Sequence, residues 1–289
     1  MPRPTTGTTT EDRRVKPAPF SYLRPASLGE ALEALAGDPG AKVLAGGQSL
    51  VPLLSMRLAA PSLLVDINGL PELEHVTCAD DGVRVGALAR HADVLADEEA
   101  RRVQPLVALA LGHVAHATIR NRGTTVGSLV HADAAAEMPV VLKLLRGSLE
   151  VASSSGRRTI VADDLFAGPL ESTLASDEIA LEAFFPALSS GAGVAFEEVS
   201  RRHGDYALCG AAALVEDERV SVGYLSVSDV PTVVDLSGVP ESDLGDAALE
   251  HLEPADDIHA TSAYRAQLVR VLTRRVVRAA REFRTSVTS

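Results

Sequence analysis

The sequence predicts an α+β fold, and three features carry that prediction. Apolar strand-like runs alternate with helical periodicity in the first quarter of the chain. Residues 193–227 hold three strand patterns in succession with no helix between them, and a long amphipathic pattern fills residues 262–283. Alternating strands and helices favour parallel βαβ pairing, whereas strands joined by short turns favour an antiparallel sheet. At 289 residues the chain has room for two or three lobes, and 46% apolar with 23% charged residues is an ordinary globular composition.

Residues 1–16 are rich in Thr, Pro and charge and have no apolar h-region, so they read as a disordered tail and not a signal peptide. Residues 20–25 form a short extended segment before the first helix. Ser27 and Glu30 have capping-box spacing, Leu28, Ala31, Leu32 and Leu35 share one helical face, and Gly37 stops it. A strand over residues 42–45 then runs into Gly46-Gly47-Gln48-Ser49, a helical pattern continues to about residue 58, and residues 63–67 form the next strand. Two adjacent glycines let backbone N–H groups approach a ligand, and the following helix start adds unpaired donors. The loop therefore has the build of an anion cradle, and a plain strand-to-helix turn explains it equally well. It matches neither G-x-G-x-x-G nor G-x-x-x-x-G-K-[ST]. Asp66 and Asn68 read as turn chemistry at the end of the strand.

The second region opens with a strand at residues 82–87, followed by helices at 91–95 and 105–112. Its informative stretch is residues 118–139, where Gly123, Thr124, Thr125, Gly127 and Ser128 precede Asp133 and Glu137. Small hydroxylated residues there let something flat come close to the backbone; two turns and a helix start, with Asp133 as N-cap, fit as well. Strands at 148–152, 158–161 and 178–185 and a short helix near 163–166 complete the region. Residues 189–193 are the expected lobe boundary. Helices at 246–252 and 262–283 end the chain, the latter with Tyr264, Leu268, Leu272 and Val276 read as core.

A formal charge of −12 argues against general nucleic-acid binding, and no run is apolar enough to span a membrane, so a cytoplasmic location follows by default. Cys78 and Cys209 have no partner spacing for zinc or an iron–sulfur cluster, and no metal site is read.

Taken together, Ala45-Gly46-Gly47-Gln48-Ser49-Leu50, Val65-Asp66-Ile67, Val85-Gly86-Ala87, Ile119-Arg120-Asn121-Arg122-Gly123-Thr124, His131-Ala132-Asp133, Arg202-His203-Gly204-Asp205-Tyr206-Ala207 and Ser262-Ala263-Tyr264-Arg265 resemble the FAD-binding (medium) subunits of molybdenum hydroxylases, such as those of aerobic CO dehydrogenase and xanthine dehydrogenase. The resemblance implies the FAD fold shared with p-cresol methylhydroxylase and vanillyl-alcohol oxidase. It divides the chain into a tail (1–17), an N-terminal FAD-binding subdomain (18–74), a second one (75–189) and a C-terminal domain of antiparallel sheet and helix (190–289). It implies that Ala45, Gly46, Gly47, Gln48 and Ser49, with Leu50 closing the loop, hold the pyrophosphate of FAD. Thr124, Thr125, Gly127 and Ser128 would form a second wall, with Asp133 and Glu137 near the flavin or its ribityl chain. In such enzymes electrons pass from a molybdopterin subunit through iron–sulfur clusters on another subunit to FAD and then to an acceptor.

Three positions depart from the family pattern. Val126 stands where the second wall normally has glycine, which implies a flavin wall altered by a β-branched side chain. Ala134 replaces a common proline, and Glu197 replaces a lysine that would favour the reduced flavin. Two functional readings follow: an electron-transfer subunit that needs partner chains, or a divergent stand-alone member with FAD in a specialised oxidation or with the flavin lost and a non-redox role. His131 lies in the second-wall segment, but no catalytic side chain is assigned, and neither substrate nor acceptor is written in the sequence.

Overall fold

The protein is described by a computed structural model covering residues 16–287, with side chains to residue 284; the expected disordered tail lies, apart from its last two residues, outside the described residues. The first lobe contains β1 (Ser21–Leu23), α1 (Leu28–Gly37), β2 (Ala41–Leu44), α2 (Leu50–Ser55) and β3 (Leu63–Asp66). Both β1 and β2 pair parallel with the central β3. Ser27 caps α1 through the Glu30 N–H, as its spacing predicts, while the Glu30 carboxylate reaches one residue farther back, to the Ala26 N–H.

The second lobe begins with β4 (Val76–Ala79) and β5 (Gly82–Gly86). Six helices follow: α3 (His91–Ala96), α4 (Glu98–Val103), α5 (Pro105–Leu111), α6 (Ala117–Arg120), α7 (Thr125–His131) and α8 (Glu137–Leu144). The chain then returns through β6 (Ser148–Ser153), β7 (Gly156–Val161), α9 (Ala162–Leu165), the short pair β8 (Phe166–Gly168) and β9 (Glu171–Ser172), and β10 (Ile179–Pro186). The main sheet is antiparallel in the order β4-β5-β10-β6-β7. Periodicity alone does not mark β4, α4, α6, β8 or β9, each too short to present two full turns or more than a few alternating residues.

The third lobe is an antiparallel sheet of β11 (Gly193–Ser200), β12 (Ala207–Glu216), β13 (Arg219–Leu225) and β14 (Thr232–Asp235), followed by α10 (Leu244–Leu249) and α11 (Ser262–Val287). One sheet face packs on α11 through Cys209, Ala211, Ala213, Val222, Leu272 and Val276. The other face joins the core of the second lobe through Val194, Phe196, Ala212 and Leu225. In α11 the expected core positions Leu268, Leu272 and Val276 are buried, but Tyr264 is exposed in the first turn. The buried anchor of that turn is its neighbour Arg265, which donates to the carbonyls of Leu208 and Ala255 and pairs with Asp257 at 2.7 Å. That pairing holds the Asp257 carboxyl well below the usual carboxylate range. Among the described residues no helix is long and apolar enough to cross a membrane.

Candidate functional site

Between β2 and α2 the chain leaves a row of backbone donors unused. The N–H groups of Gly46, Gly47, Gln48 and Ser49 have no partner among the described residues, and the first closing bond runs from the Val51 N–H to the Gly47 carbonyl. Ser49 occupies the cap position of α2 without a side-chain bond to the helix. Partly buried N–H groups are almost always paired, so an unpaired run of them is an anion-binding arrangement. The two glycines serve different ends. Gly47 holds φ +72°, which a β-branched residue resists, whereas Gly46 is required by contact: a Cβ there would stand 2.4 Å from the Arg122 carbonyl oxygen and 2.8 Å from the Gly123 Cα. The Gln48 side chain folds back onto the Gly46 carbonyl. Ala45 and Leu50 flank the loop, both half-buried.

The Gly46 contact brings in the second wall. Thr124 caps α7 through a 3.1 Å bond from the Gly127 N–H, and a Cβ at Gly127 would lie 2.5 Å from that same hydroxyl, which accounts for glycine there. Thr125 is fully buried, its hydroxyl 3.1 Å from His91 Nδ1. Burial, with the nearby Arg120 charge, pushes the His91 pKa down to about 4, so the ring is neutral. Ser128 is half-buried one residue beyond Gly127.

A polar strut joins the two walls. Arg90 donates at 2.8 Å to the Arg122 carbonyl and at 2.7 Å to Asn68 Oδ1. Asn68 in turn donates to the carbonyls of Leu44 and Ala45 and to Asp66, and Tyr22 donates to the other Asp66 oxygen. Burial alone would raise the Asp66 carboxyl, but the bonds from Tyr22 and Asn68 outweigh it and leave it lowered. The turn role expected of Asp66 and Asn68 holds, since the Asn68 N–H bonds Asp66 Oδ1. Their reach to the cradle and to Arg90 has no sequence signature, nor does His91, because neither Arg90 nor His91 belongs to a recognisable spacing.

Helix α7 leads from this contact to a cluster of acidic side chains. Asp133 accepts the Ala135 N–H in a side-chain turn; the cap position of α8 falls on Ala136, so Asp133 is not the N-cap of that helix. Glu137, 9% exposed, opens α8, and its pKa is pushed up to about 7, chiefly by burial and then by the neighbouring Glu198 charge. Glu198 comes from β11; its side chain is 5% exposed, with Oε1 3.5 Å from His113 Nδ1. Tyr206 is exposed beside this cluster, and its hydroxyl is pushed up to about 12 by local desolvation and by the Asp133 and Glu137 charges.

The structure revises two further expectations. Val126 sits in the second position of α7 outside the positive-φ region, with its side chain 2% exposed in the hydrophobic core. It is a packing residue there and does not strain the wall. Glu197 is on the α11 face of β11, paired at 2.6 Å with Arg275; alternation turns its neighbour Glu198 toward the acidic cluster instead. In the loop before β12, His203 meets His116 edge-on at 6.0 Å, and Gly204, at φ +85°, lies against the same ring. His131 ends α7 half-buried, without a hydrogen-bond partner among the described residues. No group of three or more His, Cys, Asp or Glu among the described residues is placed to hold a metal ion.

Comparison with known proteins agrees with this geometry. Residues 18–188 match the model of the FAD-binding domain in molybdopterin dehydrogenases. The nicotine 6-hydroxylase medium subunit of Paenarthrobacter nicotinovorans is 40% identical over 271 residues, spanning 89% of this chain and 95% of the relative. The carbon monoxide dehydrogenase medium chain of Hydrogenophaga pseudoflava is 31% identical, with 91% and 98% covered. Among solved structures, that of quinoline 2-oxidoreductase from Pseudomonas putida 86 superposes with a TM-score of 0.86 at 36% identity, over 92% of this chain and 98% of the other.

Proposed function

Because the chain belongs to the FAD-binding family of the molybdopterin dehydrogenases, and FAD is that family's cofactor, we propose that it is the electron-transfer subunit of such a dehydrogenase. It would take electrons from iron–sulfur and molybdopterin partner chains and pass them through FAD to an acceptor. The observation that carries the reading is the row of unpaired N–H groups at residues 46–49, closed against Arg122 and Gly123 by a contact only glycine permits. A diphosphate supplies the negative oxygens those donors need.

In this reading Ala45 to Leu50 hold the pyrophosphate, and Thr124, Thr125, Gly127 and Ser128 line the opposite side. Helix α7, seven residues or about 10 Å long, sets the distance from there to Asp133 and Glu137, where the ribityl chain or ring would end. The bound flavin supplies two-electron and one-electron transfer chemistry. The protein's own work is binding and exclusion. His91, neutral and buried, orients Thr125; Arg90 and Asn68 fix the separation of the walls; Tyr206 stands beside the acidic cluster. Named relatives include a caffeine dehydrogenase subunit beta, 39% identical, and a medium chain of carbon monoxide dehydrogenase, which supports a place in a multi-subunit enzyme. The stand-alone alternative has no observation in its favour.

The test is the visible spectrum of the purified chain before and after incubation with FAD and gel filtration, followed by reduction with its co-expressed iron–sulfur partner. Retained flavin that the partner reduces supports the assignment. Flavin that is never retained, alone or with partners, overturns the cradle; retained flavin that no such partner reduces overturns the electron-transfer role.

A further inference from the structure

Two side-chain polar atoms are buried without a hydrogen-bond partner among the described residues. They are Glu198 Oε2 and Ser226 Oγ. Glu198 stands opposite Gly210 and Gly210 opposite Leu225, two strands away, and Ser226 follows at φ +58° with its N–H bonded to the Ala134 carbonyl. Of the two, Glu198 acts on Glu137 through its charge. A buried carboxylate oxygen with no donor is costly, and a proton on it relieves much of that cost.

We propose that Glu198, with Glu137 and the His113 imidazole, forms a proton-holding site whose occupancy follows the charge on the bound flavin. The inference rests on the reading above, in which the flavin ring lies toward Asp133 and Glu137. His113 is the group that joins the site to water: its side chain is 39% exposed, its ring packs tilted against Phe196 at 5.1 Å, and one ring nitrogen faces Glu198. It is also the only basic side chain within ion-pair range of either buried carboxyl among the described residues. The remaining titratable groups around the site are Asp133 ahead of α8, Tyr206 and His203 from the loop before β12, and His116 beyond α5; Glu197 acts only through space from the far face of β11. Two observations agree with shared protonation. Burial and the Glu198 charge push Glu137 up to about 7, and the Glu198 carboxylate raises His113.

The step balances as follows. Reduction of a bound flavin by two successive one-electron transfers from a donor of the iron–sulfur class would place negative charge beside these carboxyls. That charge would raise their proton affinity. A proton would then pass from the His113 imidazolium to the carboxyl pair, and a proton from bulk solvent would restore the imidazolium, so that one proton is taken up in all. Reoxidation reverses each transfer.

The experiment uses the full FAD-loaded chain. Its midpoint potential is followed by spectroelectrochemistry across the neutral pH range for wild type, Glu198→Gln and Glu137→Gln, with infrared difference spectra recorded on reduction. One proton taken up per two electrons adds a slope of about 30 mV per pH unit. The wild type should exceed both variants in slope by up to that amount and should show a carboxylic acid band on reduction that Glu198→Gln lacks. Equal slopes and an unchanged band would overturn the proposal. Should Glu198→Gln shed its flavin, His113→Asn decides: its proton uptake, followed by stopped flow with a pH indicator, should lag electron uptake, and synchronous uptake would refute the relay. A wild type that binds no flavin fails the functional reading instead, so the two failures are distinct.

Discussion

The two ends of the site are built from different materials. The cradle at residues 46–49 is made of main chain, and its demands on sequence are demands of shape: φ +72° at Gly47 and no Cβ at Gly46. The acidic cluster is made of side chains from three separate elements, Glu137 on α8, Glu198 on β11 and Tyr206 before β12, and its demands are of charge and burial. Backbone donors do not titrate, so the cradle should grip its ligand alike across pH, while the cluster should answer to it.

The largest effect should come from breaking the shape requirement. Gly46→Val drives a branched side chain into the Arg122 carbonyl and separates the walls, so FAD affinity should fall at least a hundredfold, or about 3 kcal/mol, by the same factor at every pH. Gly47→Val, strained by its positive φ, should also lose flavin; retention of wild-type occupancy by either folded variant would contradict the cradle. Val126→Gly tests the wall from behind. It empties a core position and adds a glycine to a helix, and should cost about 3 kcal/mol in urea unfolding while leaving the flavin potential near wild type.

The cluster should respond through pH. Glu137 has a folded pKa of about 7 against an ordinary value of 4.5, so between those values the folded chain keeps a proton that the unfolded chain has released. Stability must then fall as pH rises through that window, by up to about 3 kcal/mol, and Glu137→Gln should flatten the decline in urea midpoints. His91 works in the opposite direction: held neutral to about pH 4 against an ordinary value of 6.5, it lowers stability as pH falls between those values, and His91→Gln should remove that loss. The smallest effect is expected of Arg90→Ala, which severs the strut at its exposed end and should weaken FAD binding by about 1 kcal/mol, measured by fluorescence titration.

How much of this was legible in the sequence follows from the same division. Local backbone chemistry leaves marks in adjacent residues, so the double glycine, the Thr124 cap and the parallel β2-α2-β3 unit could be read in advance. Groups that meet only in the fold leave none. Glu198 and Glu197 differ by one residue, and only the register of β11 decides which faces the cluster and which faces Arg275. Val126 meets the same limit: a glycine position in a motif says what relatives have there, while the direction of the side chain is set by where α7 begins. Tyr264 failed because one turn at the start of a long helix extends past the sheet it otherwise covers.

The order in which these residues leave the ribosome has a consequence of its own. The cradle emerges within the first fifty residues, its opposing wall only after residue 122, and Glu198 and Tyr206 after two-thirds of the 289-residue chain has been made. Domains generally fold as units from the N-terminus during synthesis. A nascent first lobe would thus present a half-built anion site well before anything can close over the ring, and cofactor capture becomes a late event, governed by how fast the third lobe folds and docks.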